Sequence, residues 1–367
     1  MRVALVYDRV NKFGGAERVL LALHQLYPTA PLYTLVADET KATWSKVFNI
    51  IPTFLNKLPF LRTRHEILSP LAPLAFETLN LSDYDVVISI TSSDAKAVLT
   101  KPQTLHLCYC LTPTRYLWSG VEEYQKDLKM KILPSFLLRY FRIVDRITAN
   151  RPDAYVSISN EIKDRVKRYY QKDSEVIYPA IKDLFFSTQK LISQKDRSYY
   201  LVVSRLVPYK KVDLAVQAFN ELGSDLVVIG TGSQLKSLKQ MAKSNIKFVG
   251  QVDDQTLISY YQKAKAVIFP QDEDFGLVPL EAQASGTPVI AFAKGGALET
   301  IINKKTGLFF KHQTKKSLVK AVKEFESLNL NPNDCLLQAK KFSEATFLEQ
   351  FSAKVRLLWQ KHQQLML

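Results

Sequence analysis

Between Ile268 and Thr300 two glutamates, Glu273 and Glu281, flank Gly276, with an apolar run before them and a proline-led segment between them. Carboxylates at such a join can accept hydrogen bonds from ligand hydroxyls, glycine lets the backbone come close to a ligand, and free amides at a helix N-terminus attract phosphate. Upstream, Arg205 and Lys210 flank a loop in VVSRLVPYKKVDLA, with Lys211 beside them. Two cations and a helix N-terminus at one strand end would stabilise the charge that grows on a departing diphosphate, without a metal. Taken singly, each of these residues could be an ordinary solvated surface charge.

For such side chains to converge, strands and helices must alternate around them. Ala264 to Pro270 reads as a buried parallel strand, residues 273–276 as the loop at its carboxyl end, and Pro279 to Ser285 as the next helix, with proline in its first turn. YYLVVS, DLVVIG, IKFVG and TPVIAF repeat the strand pattern from Tyr199 onward. In the first half, Val3 to Tyr7, Asp85 to Ile90, Leu105 to Cys110 and Ala154 to Ile158 read as strands, with helices at Ala16 to Leu26 and Glu161 to Tyr169. This is a doubly wound α/β pattern, given twice. At 367 residues the chain exceeds the roughly 250–300 that one core supports. The expected organisation is a first domain over 1–183, a linker over 184–197 and a second domain over 198–345. A final helix over 346–367 has Phe347, Phe351, Val355, Leu358 and Trp359 on one face.

Glycine pairs follow several strand ends. Gly14 and Gly15 in NKFGGAERVL suit a tight turn and close approach by phosphate, although a βα loop often carries glycine for turn geometry alone. Gly230, Thr231 and Gly232 form a similar loop, residues 250–252, Gly250 to Val252, close another strand, and Gly295, Gly296 and Glu299 follow TPVIAF.

Glu-x7-Glu followed by SGTPVIA, together with RLxxxK and GGAER, closely resembles the retaining glycosyltransferases of family 4. The resemblance implies a GT-B fold, two Rossmann-like doubly wound parallel-sheet domains facing a cleft, with donor nucleotide bound mainly by the second and acceptor by the first. It implies that Glu281 holds ribose hydroxyls, that Glu273 and the amides of Phe275, Gly276 and Leu277 orient the transferred sugar, and that Arg205 and Lys210 stabilise the diphosphate. Gly15, Gly250, Val252 and Glu299 would add donor contacts. HLCYCLTPTRYLW, with Arg115 and Tyr116 on the acceptor side, resembles a branch that builds bacterial surface polysaccharides, often from GDP-mannose. That branch usually reads H-T-P where this chain has Leu111-Thr112-Pro113. Leucine neither donates a hydrogen bond nor carries charge, so mannose is less secure than glycosyl transfer. His106 is the nearest histidine and reads as structural, on a strand of alternating faces.

Composition narrows the partners. Three cysteines, Cys108, Cys110 and Cys335, show no paired metal spacing and suit a reducing compartment. The N-terminus enters a strand directly, with no export signal expected, and no run of about 18 apolar residues predicts a membrane span. The formal net charge of +15 calls for an anionic partner. Between Lys126 and Arg146, the cations Lys126, Lys129, Lys131, Arg139, Arg142 and Arg146 interleave with bulky apolar residues. A helix there could bury Phe136, Leu137, Tyr140, Phe141 and Val144 while its cations meet anionic lipid, with Lys163 to Lys172 extending the basic face; core packing with a solvated edge is the other reading.

The expected protein is a cytoplasmic, metal-independent transferase, peripheral on the inner face of the plasma membrane. It would need no cofactor and would take a nucleotide-sugar and a lipid-linked or glycan acceptor. A UDP-sugar donor, a non-catalytic nucleotide-sugar-binding protein and an epimerase of similar build are the alternatives. Nucleic-acid binding is not expected, because no helix-turn-helix or aromatic-basic RNA motif accompanies the charge.

Overall fold

The computed structural model describes residues 1–58, 70–121, 134–186, 192 and 196–366. These form two compact units, one of Met1–Ala180 with Ala345–Leu367 and the other of Ile181–Glu344.

In the first unit seven strands, β1 (Val3–Tyr7), β2 (Leu32–Thr34), β3 (Ile50–Pro52), β4 (Val86–Thr91), β5 (Leu105–Cys110), β6 (Ala154–Ser157) and β7 (Ser174–Val176), form one sheet in the order β3-β2-β1-β4-β5-β6-β7. Every pairing is parallel. Such sheets are covered on both faces, which is why β1, β4 and β5 are mostly apolar and buried along their whole length, with Ser89, Thr91 and His106 as buried polar exceptions. The helix Gly15–Leu26 returns the chain from β1 to β2 and buries Val19, Leu20 and Leu23. Strands β2, β3 and β7 have three residues each, too few for a period-2 pattern to show in the sequence.

The second unit repeats this wiring. Strands β8 (Tyr199–Val203), β9 (Leu226–Ile229), β10 (Ile246–Gly250), β11 (Ala264–Phe269), β12 (Val289–Phe292) and β13 (Gly307–Phe310) lie in the order β10-β9-β8-β11-β12-β13, again all parallel. The sixth strand, β13, was not among the expected ones. The described part of residues 184–197 is held in place. Phe185 is buried and packs on Tyr261 at 6.2 Å between ring centroids, and buried Arg197 donates to Gly286 O, Ala264 O and Thr287 Oγ1 at 2.7–3.1 Å.

The C-terminal helix Glu344–Met366 buries Phe347, Phe351 and Val355, while Leu358 and Trp359 are only half-buried. Phe347 and Phe351 pack against Tyr109 of β5 at 6.0 and 5.5 Å, fastening the end of the chain to the first unit.

One expected face is reversed. The basic, apolar segment is a helix from Ser135 to Thr148, and Lys126, Lys129 and Lys131 lie outside the described residues. Phe136 and Tyr140 are exposed rather than buried, and Leu137, Phe141 and Val144 are half-buried. The buried positions are Asp145 and Thr148. Asp145 pairs with buried Lys96, and nine residues make two and a half helical turns, so anchoring Asp145 inward turns Phe136 out.

Candidate active site

In each sheet the strand order reverses once, between β1 and β4 in the first unit and between β8 and β11 in the second. Loops leaving the carboxyl ends of two such strands diverge and leave a crevice where ligands of open α/β sheets bind. In the second unit Lys210 comes from the loop after β8 and Glu273 from the loop after β11, and the two form an ion pair across the switch point. A short 3₁₀ turn, Pro208–Lys210, and a left-handed Lys211 precede the helix Val212–Leu222, so Lys210 is turned back to the strand end. Arg205 is exposed and hydrogen-bonds the Tyr209 hydroxyl. The Arg205 and Lys210 cations lie 5.7 and 5.1 Å from the Tyr209 ring centroid, so one aromatic ring lies near both. Gln271, buried, donates its side-chain amide to Glu273 Oε1 at 3.0 Å and so helps to fix that carboxylate.

Gly276 has φ +87, which only glycine adopts readily, and a side chain there would meet the Phe269 ring at 3.0 Å. The helix Leu277–Ala284 starts beside it, its first amides at the strand end, with Phe275 buried against Phe342 at 5.9 Å. Glu281 sits one turn along this helix, buried, and accepts from the Tyr261 hydroxyl at 2.9 Å. Gly295 and Gly296 are packing glycines. A Cβ on Gly296 would lie 2.1 Å from Phe275 O, and its amide donates to Glu273 O at 2.8 Å, so this loop braces the glutamate loop. Glu299 is half-buried in the short helix Ala297–Thr300 that follows. Gly230 donates to Gly250 O at 2.8 Å, joining the loops after β9 and β10, and Val252 is half-buried just beyond.

The remaining expected residues belong to the first unit. Gly14 is extended at φ −172 and Gly15 is the exposed first residue of its helix, so neither makes the expected tight turn. What fixes this loop is Tyr7, whose hydroxyl donates to buried Glu17 at 2.6 Å. Arg115 and Tyr116 are half-buried in the turn after β5, near half-buried Leu111. His106 is buried; its Nε2 lies 2.9 Å from Ser89 Oγ while Nδ1 has no partner, so it is only half satisfied. Burial, with the Arg151 charge, lowers its pKa to about 3. Cys108 and Cys110 are buried and not joined in a disulfide, and burial pushes the Cys108 thiol up to about 12, where it stays protonated.

A polar network absent from the sequence reading ties this unit's loops together. Asp8, at the end of β1, accepts from Thr91 Oγ1, Ser92 N, Asp94 N and Ala95 N at 2.7–3.0 Å and so shapes the loop after β4. Lys96, from that loop, is buried against Asp145 at 2.7 Å; burial alone would lower its pKa, and the Asp145 and Asp94 carboxylates raise it well above the ordinary value. Asp145 also accepts from Thr114 Oγ1 at 2.8 Å and Trp118 Nε1 at 2.6 Å, which draws in the loop carrying Arg115 and Tyr116. Asp94 is half-buried beside this network, and desolvation lifts its carboxyl to about 6 against the opposing pull of Lys96. An acid directly after a strand, as in VYD, is a legible signal for Asp8; no sequence signal distinguishes buried Lys96 from the many surface lysines.

Among the described residues no cluster of three His, Cys, Asp or Glu side chains is arranged to hold a metal, and no helix is long and apolar enough to cross a membrane.

Residues 185–342 match the family described as glycosyl transferases group 1. The chain is similar to the O-antigen chain mannosyltransferase RfbU of Salmonella typhimurium, 29% identical over 52% of this chain and 55% of that protein. It is also similar to the alpha-1,3/1,6-mannosyltransferase ALG2 of Candida glabrata, 23% identical over 83% of this chain and 78% of that one. The chain spans about half the length of RfbU and of several other curated relatives it matches. Its fold is that of Anabaena HepE, solved in complex with UDP-glucose, with a TM-score of 0.71, 17% identity, and coverage of 97% of this chain and 100% of the other.

Proposed function

We propose that the chain, whose residues 185–342 match the glycosyl transferases group 1 family, is a retaining glycosyltransferase. It moves a hexose from a nucleotide-sugar to a lipid-linked or glycan acceptor in the synthesis of a bacterial surface polysaccharide. The observation that carries this reading is the Lys210–Glu273 pair spanning the switch point, with Arg205 held beside it on Tyr209.

In the proposed reaction the bond from the sugar's anomeric carbon to the diphosphate breaks, the acceptor oxygen bonds to that carbon on the same face, and the acceptor proton leaves with the departing phosphate. Lys210 and Arg205 stabilise the growing diphosphate charge, as does the N-terminus of the helix Leu277–Ala284. Glu273, aimed by Gln271, accepts from hydroxyls of the transferred sugar. Glu281, aimed by Tyr261, accepts from the ribose. The chemistry needs no metal and no cofactor.

GDP-mannose is the preferred donor, because RfbU and ALG2 are mannosyltransferases. A UDP-sugar is the alternative, favoured by Leu111 in place of histidine and by the UDP-glucose complex of HepE. A lipid-linked acceptor would place the enzyme on the inner face of the plasma membrane.

The test is release of nucleoside diphosphate from GDP-mannose and from UDP-glucose, in EDTA, with a bacterial lipid-linked oligosaccharide fraction as acceptor, followed by NMR of the anomeric centre formed. Turnover in EDTA with retained configuration is expected. Donor binding without any acceptor-dependent release would favour the binding-only protein, and strict Mn²⁺ dependence would overturn the metal-free mechanism.

A further inference from the structure

We infer that the outward face of the helix Ser135–Thr148 is a docking surface for an anionic lipid bilayer. At 100° per residue Phe136, Tyr140, Ile143 and Ile147 fall within an arc of about 60°, and they are 69%, 58%, 51% and 56% exposed. Four large apolar side chains in one stripe are unusual on a surface facing water. On the same wheel Arg139, Arg142 and Arg146 lie together along one border of the stripe. The helix has a single acidic residue, Asp145, which is buried on the opposite side and neutralised by Lys96. An apolar stripe edged by guanidinium groups is the pattern of a helix lying in the headgroup plane, its apolar side chains reaching the acyl boundary and its cations meeting lipid phosphates.

The internal side of the helix makes this orientation firm. Asp145 binds Lys96, Thr114 and Trp118, and Arg142 Nε donates to Leu117 O at 2.7 Å, so the helix cannot roll its stripe inward without breaking a buried charge pair. Arg142 and Arg146 lie 5.3 and 5.0 Å from the Trp118 ring, and Arg146 donates to Tyr169 O of the neighbouring helix Asn160–Tyr170, which adds Lys163 and Arg168 to the basic surroundings. Charge decides the occupant. A second copy would bring another +15 chain to this face, whereas an anionic bilayer complements it.

Docking would also hold the turn carrying Arg115 and Tyr116 one helix diameter, roughly 10 Å, from the bilayer, because that turn is bound to the inner side of the same helix through Thr114, Leu117 and Trp118. This link to a lipid-linked acceptor rests on the transfer reading above; the docking does not, and is measured without donor or acceptor.

The experiment is co-sedimentation of the full chain with vesicles of phosphatidylcholine alone and of phosphatidylcholine with phosphatidylglycerol. Binding is expected only with phosphatidylglycerol and should weaken with added salt. Arg139→Glu should weaken it at least fivefold, and Phe136→Ser with Ile143→Ser at least tenfold, with cooperative thermal unfolding of the free proteins at an unchanged midpoint as proof of folding. Arg139→Glu, a fully surface change, decides the matter should the double variant fold poorly. No binding to phosphatidylglycerol vesicles, or equal binding by Arg139→Glu, would overturn the inference. A concentration-dependent dimer broken by Tyr140→Ser, without vesicle binding, would assign the face to a second copy instead.

Discussion

Lys210 and Glu273 neutralise one another at the sheet's switch point, yet each is assigned a separate task, on diphosphate and on sugar. Removing a preorganised donor to a developing anion lowers turnover by about 10²–10³, so Lys210→Ala should lose that much kcat while thermal unfolding stays close to wild type. Tyr261→Phe is subtler. It deletes the hydroxyl that aims Glu281 but keeps the ring that packs on Phe185, and a lost hydrogen bond of about 0.5–1.5 kcal/mol should weaken donor affinity roughly two- to tenfold by calorimetry. Asp94 gives a pH test. Its carboxyl rises from 3.8 to about 6 on folding, so in that window the folded chain binds the extra proton and stability falls as pH rises. Asp94→Asn should therefore raise Tm at pH 7, with the advantage gone by pH 4. His106 works with the opposite sign, since a pKa lowered from 6.5 to about 3 makes the unfolded chain take the proton first and stability falls as pH drops through that range. Glu273, Glu281, Arg205 and Lys210 stood out in the sequence because they sit at fixed offsets from strand ends. Tyr209, Gln271 and Tyr261 did not, because their roles depend on which side chain they meet.

At the scale of elements, the long buried strands were legible because a parallel sheet covered on both faces demands continuous apolar runs. The three-residue strands β2, β3 and β7 were not, since three residues are too few for a pattern to show, even in β2, which is fully buried between β1 and β3. The reversed face of Ser135–Thr148 has a different cause. Pattern alone puts apolar residues inside, but the Lys96–Asp145 pair outranks it, because a half-broken buried pair costs about 3–5 kcal/mol. Asp145→Ala should be destabilised by about that much in urea unfolding, and combining it with Lys96→Met should recover part of the loss. Gly296 tests a second element contact. Its φ of −61 suits any residue, so Gly296→Ala acts only through the Cβ that would strike Phe275 O at 2.1 Å. Displacement of the glutamate loop should impair donor binding more than it impairs folding.

At the scale of the whole molecule, the same doubly wound wiring appears twice in one chain, and in each unit the side chains of interest rise from loops at the strand-order reversal. The second unit holds the glutamates, the paired cations and the family match; the first holds the Asp8–Lys96–Asp145 network and the exposed basic helix. An excess of 15 positive charges suits a protein whose proposed ligands, a nucleoside diphosphate and an anionic bilayer, are both negative. The central claim is that the loops after β8 and β11 bind a nucleotide-sugar through Lys210, Glu273 and Glu281. Isothermal titration of the purified chain with GDP-mannose and UDP-glucose, repeated with Lys210→Ala and Glu281→Ala, tests it most directly. Saturable binding of one donor, weakened at least tenfold in both variants, is the expected result; a folded protein that binds neither donor, or variants that bind as tightly as wild type, would contradict it.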